Sequence, residues 1–164
     1  MHTIHALLSH HRLMLLSFAG ISALALAMAY IAQYGFGLAP CILCLYQRVP
    51  FAVIIGLGLL GYLLNRFGRC FIGLIGAAFA VNAVIAFYHT GVERRWWTSF
   101  IEGCSTPDLS GSIEDLMARI EAAPVTACTD IPWADPLLGL SMANYNVIFC
   151  LGLAGIAAYS LLRK

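Results

Sequence analysis

Four stretches of this sequence are each long and apolar enough to cross the roughly 30 Å hydrocarbon core of a bilayer, which takes about 20 residues as a helix. They are Leu13 to Ile31 (LMLLSFAGISALALAMAYI), residues 45 to 64, Cys70 to Tyr88, and residues 144 to 162 (NYNVIFCLGLAGIAAYSLL). A lone apolar segment in lipid must satisfy its backbone N–H and C=O groups internally, so each is expected as a helix. Composition points the same way. Only 10% of the chain is charged and 61% is hydrophobic, whereas a soluble domain carries about 25% charged residues. The expected fold is an all-α membrane protein, a four-transmembrane-helix bundle in which residues 1–164 form a single domain. Small residues at Gly73, Gly76, Ala77 and Ala80 would let helices approach closely.

Charge sets the expected orientation. Arg12, Arg66, Arg69, Arg163 and Lys164, five of the nine basic residues, flank the spans on one side, with no acid among them. All eight carboxylates, from Glu93 to Asp135, fall between the third and fourth spans. Lys and Arg mark the cytoplasmic side, which places both termini in the cytoplasm. Loops 32–44 and 89–143 then lie outside. A cleaved signal peptide ending near Ala27–Ala29 is the rival reading of the first span, but its apolar core exceeds the usual 7–15 residues. The net charge of +1 offers no basic patch for nucleic acid. There is no internal repeat, Gly-rich phosphate loop or N-x-[ST] acceptor.

Six cysteines divide cleanly under this topology. Cys41 and Cys44 stand at the outer mouth of the second span, and Cys104 and Cys128 in the outer loop, where an oxidising compartment permits disulfides. Cys70 and Cys150 read as packing residues, since free Cys behaves as a small hydrophobe. A Cys104–Cys128 bridge would staple a loop with little core of its own. A Cys41–Cys44 bridge closes almost no loop and removes little unfolded-state entropy, so that pair reads as a redox couple. On a helix running from Cys41, Cys44 and Arg48 project at about 300° and 340° relative to Cys41, on one face. A guanidinium there and the helix N-terminus would favour a thiolate. If Pro50 marked the true helix start, the pair would lie in a loop. Arg48 also has a plain reading as a snorkelling arginine.

A dithiol that turns over needs an acceptor, and the chain has no dinucleotide, haem or iron–sulfur signature. The reservoir at a membrane mouth is the quinone pool, for which Arg48, Tyr46, His89 and Tyr88 are candidate walls. Trp96, Trp97, Trp133 and Tyr145 fit an interfacial aromatic belt. The stretch SGSIEDLMARIEAA predicts a short amphipathic helix in the outer loop, capped by Ser112 and stopped by Pro124. Two other classes compete. The four outer cysteines could ligate zinc, although only one C-x-x-C knuckle is present; or the disulfides could be purely structural, in a scaffold.

The pattern P-C-x-x-C-x-Y-x-R at the start of the second of four spans, followed by an acidic outer loop with two cysteines, resembles the DsbB family. The GVERRWW and IPWADPLLGLSMANYN stretches resemble its loop segments. The resemblance implies a thiol:quinone oxidoreductase of the bacterial inner membrane, with its active cysteines on the periplasmic side and no metal. It implies that a periplasmic DsbA-like oxidase attacks Cys104 of a Cys104–Cys128 disulfide and that Cys128 then attacks Cys41. Cys44 would leave as a thiolate supported by Arg48 and deliver electrons to ubiquinone or menaquinone. Gln47 departs from the pattern, since some members carry Glu before the arginine.

Overall fold

The structure is a computed structural model and describes residues 11–101, 104, 117 and 126–163. Of the amphipathic helix expected within residues 110–123, Met117 is described and is helical; the rest lies outside the described residues. Among the described residues, four long α-helices follow one another: α1 (His11–Gly35), α2 (Ile42–Leu63), α3 (Gly68–Glu93) and α4 (Met142–Leu162). A single 3-10 turn, Asn65–Phe67, joins α2 to α3. All four helices are long and apolar enough to cross a membrane.

Local chemistry sets the helix ends. Cys41 caps α2, its backbone extended and its sulfur accepting the Cys44 N–H at 3.4 Å, which is the role a serine oxygen usually fills. Ser141 caps α4 in the same way, through the Asn144 N–H at 3.3 Å. Pro50 sits buried inside α2 and does not start it. Its ring removes one backbone donor, yet the helix runs on to Leu63. At the third span the helix continues past Tyr88 and buries His89, Thr90, Gly91, Val92 and Glu93. These polar residues face protein rather than lipid or water, so an apolarity criterion alone ends the helix too early.

Sequential helices pack side by side, α1 on α2, α2 on α3 and α3 on α4. Phe79 of α3 is fully buried at the centre and meets Phe18 and Phe51 edge-on, at 5.7 and 6.4 Å between ring centroids. Leu15, Ile54, Ile72 and Ile75 complete that core. Gly58 lets α1 and α2 touch: a β-carbon there would lie 2.7 Å from the Leu15 carbonyl oxygen. At one end Arg69 of α3 donates to the Leu161 carbonyl of α4 at 2.6 Å, and Arg12 lies over Tyr62. The opposite end carries the cysteines.

Candidate functional site

Cys41 and Cys44 are thiols whose sulfurs lie 3.1 Å apart, Cys41 donating to Cys44. That hydrogen bond, with burial adding to it, holds the Cys41 thiol above its ordinary range. His89 Nε2 approaches Cys41 Sγ at 3.4 Å from α3. Behind the imidazole, the Gln47 amide donates to His89 Nδ1 at 2.8 Å, and Asn146 of α4 donates to Gln47 Oε1 at 2.7 Å. Cys150 donates to Asn146 Oδ1 at 3.2 Å, and Asn82 to Cys150 Sγ at 3.5 Å. Glu93 lies one turn beyond His89, with Oε1 at 3.6 Å from Nε2, while Oε2 accepts the Ser141 hydroxyl at 2.5 Å. His89 and Glu93 are both buried.

Cys104 and Cys128 are joined by a disulfide, and the bridge is packed in one cluster with Cys41, Leu43 and Val92. The chain is brought there by a fold-back after α3. Arg95 takes a positive φ of 57° and reverses the backbone. Trp97 stacks on Tyr88 at 6.0 Å and donates to its carbonyl at 3.3 Å. Gly91 makes room for the indole, since a β-carbon would come within 2.0 Å of it. The Tyr88 hydroxyl donates to Ser99 and accepts the Phe100 N–H, which aims the strand of chain toward Cys104. On the α4 side, Arg94 bonds the Gly139 carbonyl and Asn144, and Asn144 donates to Thr90.

Arg48 and His89 work on different sides of α2. Arg48 turns toward α1, donating to Gln33 Oε1 at 2.7 Å with its guanidinium 4.8 Å above the Tyr30 ring. It lines an open groove of about 410 Å³ with Tyr30, Gln33, Tyr34, Leu45 and Val49. His89 is buried in the bundle between Cys41 and Gln47. Tyr46, 45% exposed, points outward. The structure thus gathers Cys41, Cys44, His89 and the Cys104–Cys128 bridge, puts Arg48 one turn from Cys44 on the groove side, and leaves Tyr46 apart. Cys150 is buried with two amide partners, while Cys70 is exposed. Among the described residues, Cys41, Cys44 and His89 bring three ligand atoms within 4.8 Å of one another, short of the four a structural zinc centre takes; Cys104 and Cys128 are spent on the disulfide.

Sequence reasoning passed over Gln47 as a bonding group and Asn82 and Asn146 altogether, and counted Glu93 only as one of the acids of the outer loop. A signal was available, because a polar side chain inside a span is costly and marks function.

Four membrane-spanning helices with a thiol pair, an imidazole and a disulfide packed at one end define a multi-pass membrane protein equipped for thiol–disulfide exchange. The family model described as "Disulfide bond formation protein DsbB" matches residues 11–160. The chain belongs to the DsbB family. It is 29% identical to Disulfide bond formation protein B of Stutzerimonas stutzeri, over 96% of this chain and 98% of that one. It is 33% identical to the protein of that name in Xanthomonas campestris, over 89% and 87%. An uncharacterized protein of Rickettsia prowazekii is 30% identical over 78% of this chain and 74% of its own. No solved structure is a significant match.

Proposed function

We propose that this protein is a thiol:quinone oxidoreductase of the bacterial inner membrane that reoxidises a periplasmic DsbA-like dithiol oxidase and so sustains protein disulfide formation. The observation that carries this reading is the packing of Cys41 and the Cys104–Cys128 disulfide in one buried cluster. Two cysteine pairs that must exchange a disulfide need their sulfurs brought together, and purely structural bridges do not.

In this reading the partner's thiolate attacks Cys104 and displaces Cys128, whose thiolate attacks Cys41 of an oxidised Cys41–Cys44 pair so that Cys44 leaves as the thiolate carrying the electron pair. The partner's second thiol then releases Cys104, which displaces Cys41 from Cys128 and restores the loop disulfide. The exchange chemistry requires thiolates and open access between sulfurs. The Cys41 and Cys44 sulfurs stand 3.1 Å apart, close enough to form a disulfide of their own beside the Cys104–Cys128 bridge. DsbA-type oxidants have a general reference potential of about −120 mV, too oxidising for glutathione to regenerate, so a stronger acceptor is needed.

The groove lined by Arg48 suits a quinone. Leu45 and Val49 supply apolar wall, Tyr30 and Tyr34 aromatic faces, and Arg48 and Gln33 polar groups for carbonyl oxygens. A quinone bound there supplies a lipid-soluble two-electron, two-proton acceptor. Arg48 would hold and orient it; Cys44, one turn away, would face it. His89 serves the sulfur side of the site rather than the groove. The positive-inside reading puts this end of the bundle in the periplasm.

The test is anaerobic mixing of the purified protein with a reduced DsbA-like partner and ubiquinone or menaquinone, following quinone absorbance. Wild type is expected to reduce quinone in step with oxidation of the partner. Cys44→Ser is expected to remain in the membrane and abolish turnover. Unchanged quinone reduction by that variant refutes the reading.

A further inference from the structure

The polar side chains behind the thiol pair have a common direction. Asn82 donates to Cys150, Cys150 to Asn146, Asn146 to Gln47, and Gln47 to His89 Nδ1. With Nδ1 engaged as an acceptor, the neutral imidazole carries its proton on Nε2, the atom that faces Cys41 Sγ. Cys41 in turn donates to Cys44. Asn82 heads the series: its Nδ2 donates, and its buried Oδ1 receives nothing.

We propose that Asn82, Cys150, Asn146, Gln47, His89 and Cys41 form one hydrogen-bond chain, drawn from three helices, in which every link donates toward Cys44 and which holds negative charge on that sulfur. The inference deepens the functional reading above and rests on it in one respect, that Cys44 is the electron-delivering thiol.

Three physical points support the chain. Links that share a direction polarise one another, and the low dielectric of a bundle interior strengthens each. An anion at the accepting end gains from that polarisation, because hydrogen bonding to the charged form favours it. Finally, position 47 must both accept and donate to keep the direction. The Gln47 amide does both, accepting from Asn146 and donating to His89; an ionised carboxylate can only accept. The departure at Gln47 is therefore the link that makes the chain continuous. Other charges reach Cys44 as well. Arg48 on its own helix favours the thiolate, while Glu93 on α3, whose Oε1 competes for the same His89 N–H, opposes it. Among the described residues, Cys41, His89 and Tyr88 are the other titratable groups packed around the pair.

Asn146, Cys150 and Asn82 are positioning residues, remote from the reacting sulfurs. The experiment measures the pH midpoint of Cys44 alkylation by iodoacetamide in the reduced full-length protein in micelles, read site by site by mass spectrometry. Neither quinone nor partner enters it. Asn146→Leu, close in shape and apolar, is expected to raise the Cys44 midpoint by about half a pH unit or more. Gln47→Leu should do the same. The double variant should move it no further than the larger single shift, as members of one chain do. Cys150→Ala, which removes a donor further back, supplies the same readout should either amide variant unfold. Midpoints that stay at the wild-type value in the folded variants, or shifts that simply add, overturn the chain. Should the wild type fail to reduce quinone while these midpoints move, the functional reading falls and the chain stands.

Discussion

At Cys41 the balance of forces is set by its neighbour one turn away. The hydrogen bond to Cys44 and burial raise this thiol above its ordinary range, and a raised thiol keeps its proton as pH climbs through the value, about 8.5, where a free one ionises. In reduced protein at about pH 9, iodoacetamide is therefore expected to modify Cys44 while Cys41 lags. Cys44→Ala removes the larger cause and should bring the Cys41 midpoint down. A Cys41 midpoint unmoved by that variant would show that burial, not the bond, controls it. Glu93 gives a second prediction with the opposite sign for Cys44. Its carboxylate is buried, 3.6 Å from His89 Nε2. Glu93→Gln keeps an acceptor for Ser141 and removes the negative charge, so the Cys44 midpoint should fall, where breaking the donor chain makes it rise. Alkylation mapping reads both. The sequence made the two cysteine pairs and Arg48 legible, because spacing alone exposes a C-x-x-C and an i+4 guanidinium. It hid Asn146 and Glu93. Asn146 meets Gln47 across 99 positions of chain, and no local pattern contains that contact. Glu93 sat among loop acids in the sequence, and only the length of α3 shows that it is buried.

For the helices, legibility follows from what the bilayer demands. A span must be long, apolar and internally bonded, so the existence of all four could be read from the sequence. Their ends are set by different physics. Cys41 and Ser141 cap α2 and α4 through side-chain acceptors, and α3 persists to Glu93 because its last turn finds partners in Cys41, Ser141 and Asn144. Hydropathy does not register these partners. Pro50 shows the reverse case, a residue that signals a boundary yet is carried inside α2. Small residues matter where helices touch. At Gly58 an added β-carbon would stand 2.7 Å from the Leu15 carbonyl oxygen and 2.8 Å from the Ala19 β-carbon. Backbone cannot yield as a flexible side chain does, so Gly58→Ala should push α1 from α2 and cost about 1–3 kcal/mol. Gly152, with open space around it, should tolerate the same change. Thermal unfolding in micelles followed by circular dichroism separates the two; equal melting temperatures would mean that α1 slides at no cost. Losing the Gln47 bonds should be milder, since hydrogen bonds between membrane helices average about 0.6 kcal/mol each. Its variants are thus expected to stay folded while their thiol chemistry changes.

The whole bundle separates two kinds of chemistry by about the thickness of a membrane. Antiparallel connection of four spans puts the start of α1, the α2–α3 turn and the end of α4 together, where Arg12, Arg69 and the Leu161 carbonyl meet neighbouring elements. The α1–α2 link, the end of α3 and the start of α4 share the other end with all four site cysteines. Cys70, near the start of α3, is exposed at the arginine end. The molecule thus carries its own topological reporter. In intact cells or right-side-out vesicles, treated with reductant and then with a membrane-impermeant maleimide, label is expected on Cys44 and on the released loop cysteines. Cys70 should label only after the membrane is opened. The rule that Lys and Arg stay on the cytoplasmic side makes this a prediction about compartment as well as geometry, because thiol pairs persist as exchangeable disulfides only where the surroundings oxidise them. Cys70 labelling from outside would invert the bundle and place the dithiol in a reducing cytosol. Under that outcome no periplasmic partner could reach Cys104, and the functional reading would fail together with the orientation on which it depends.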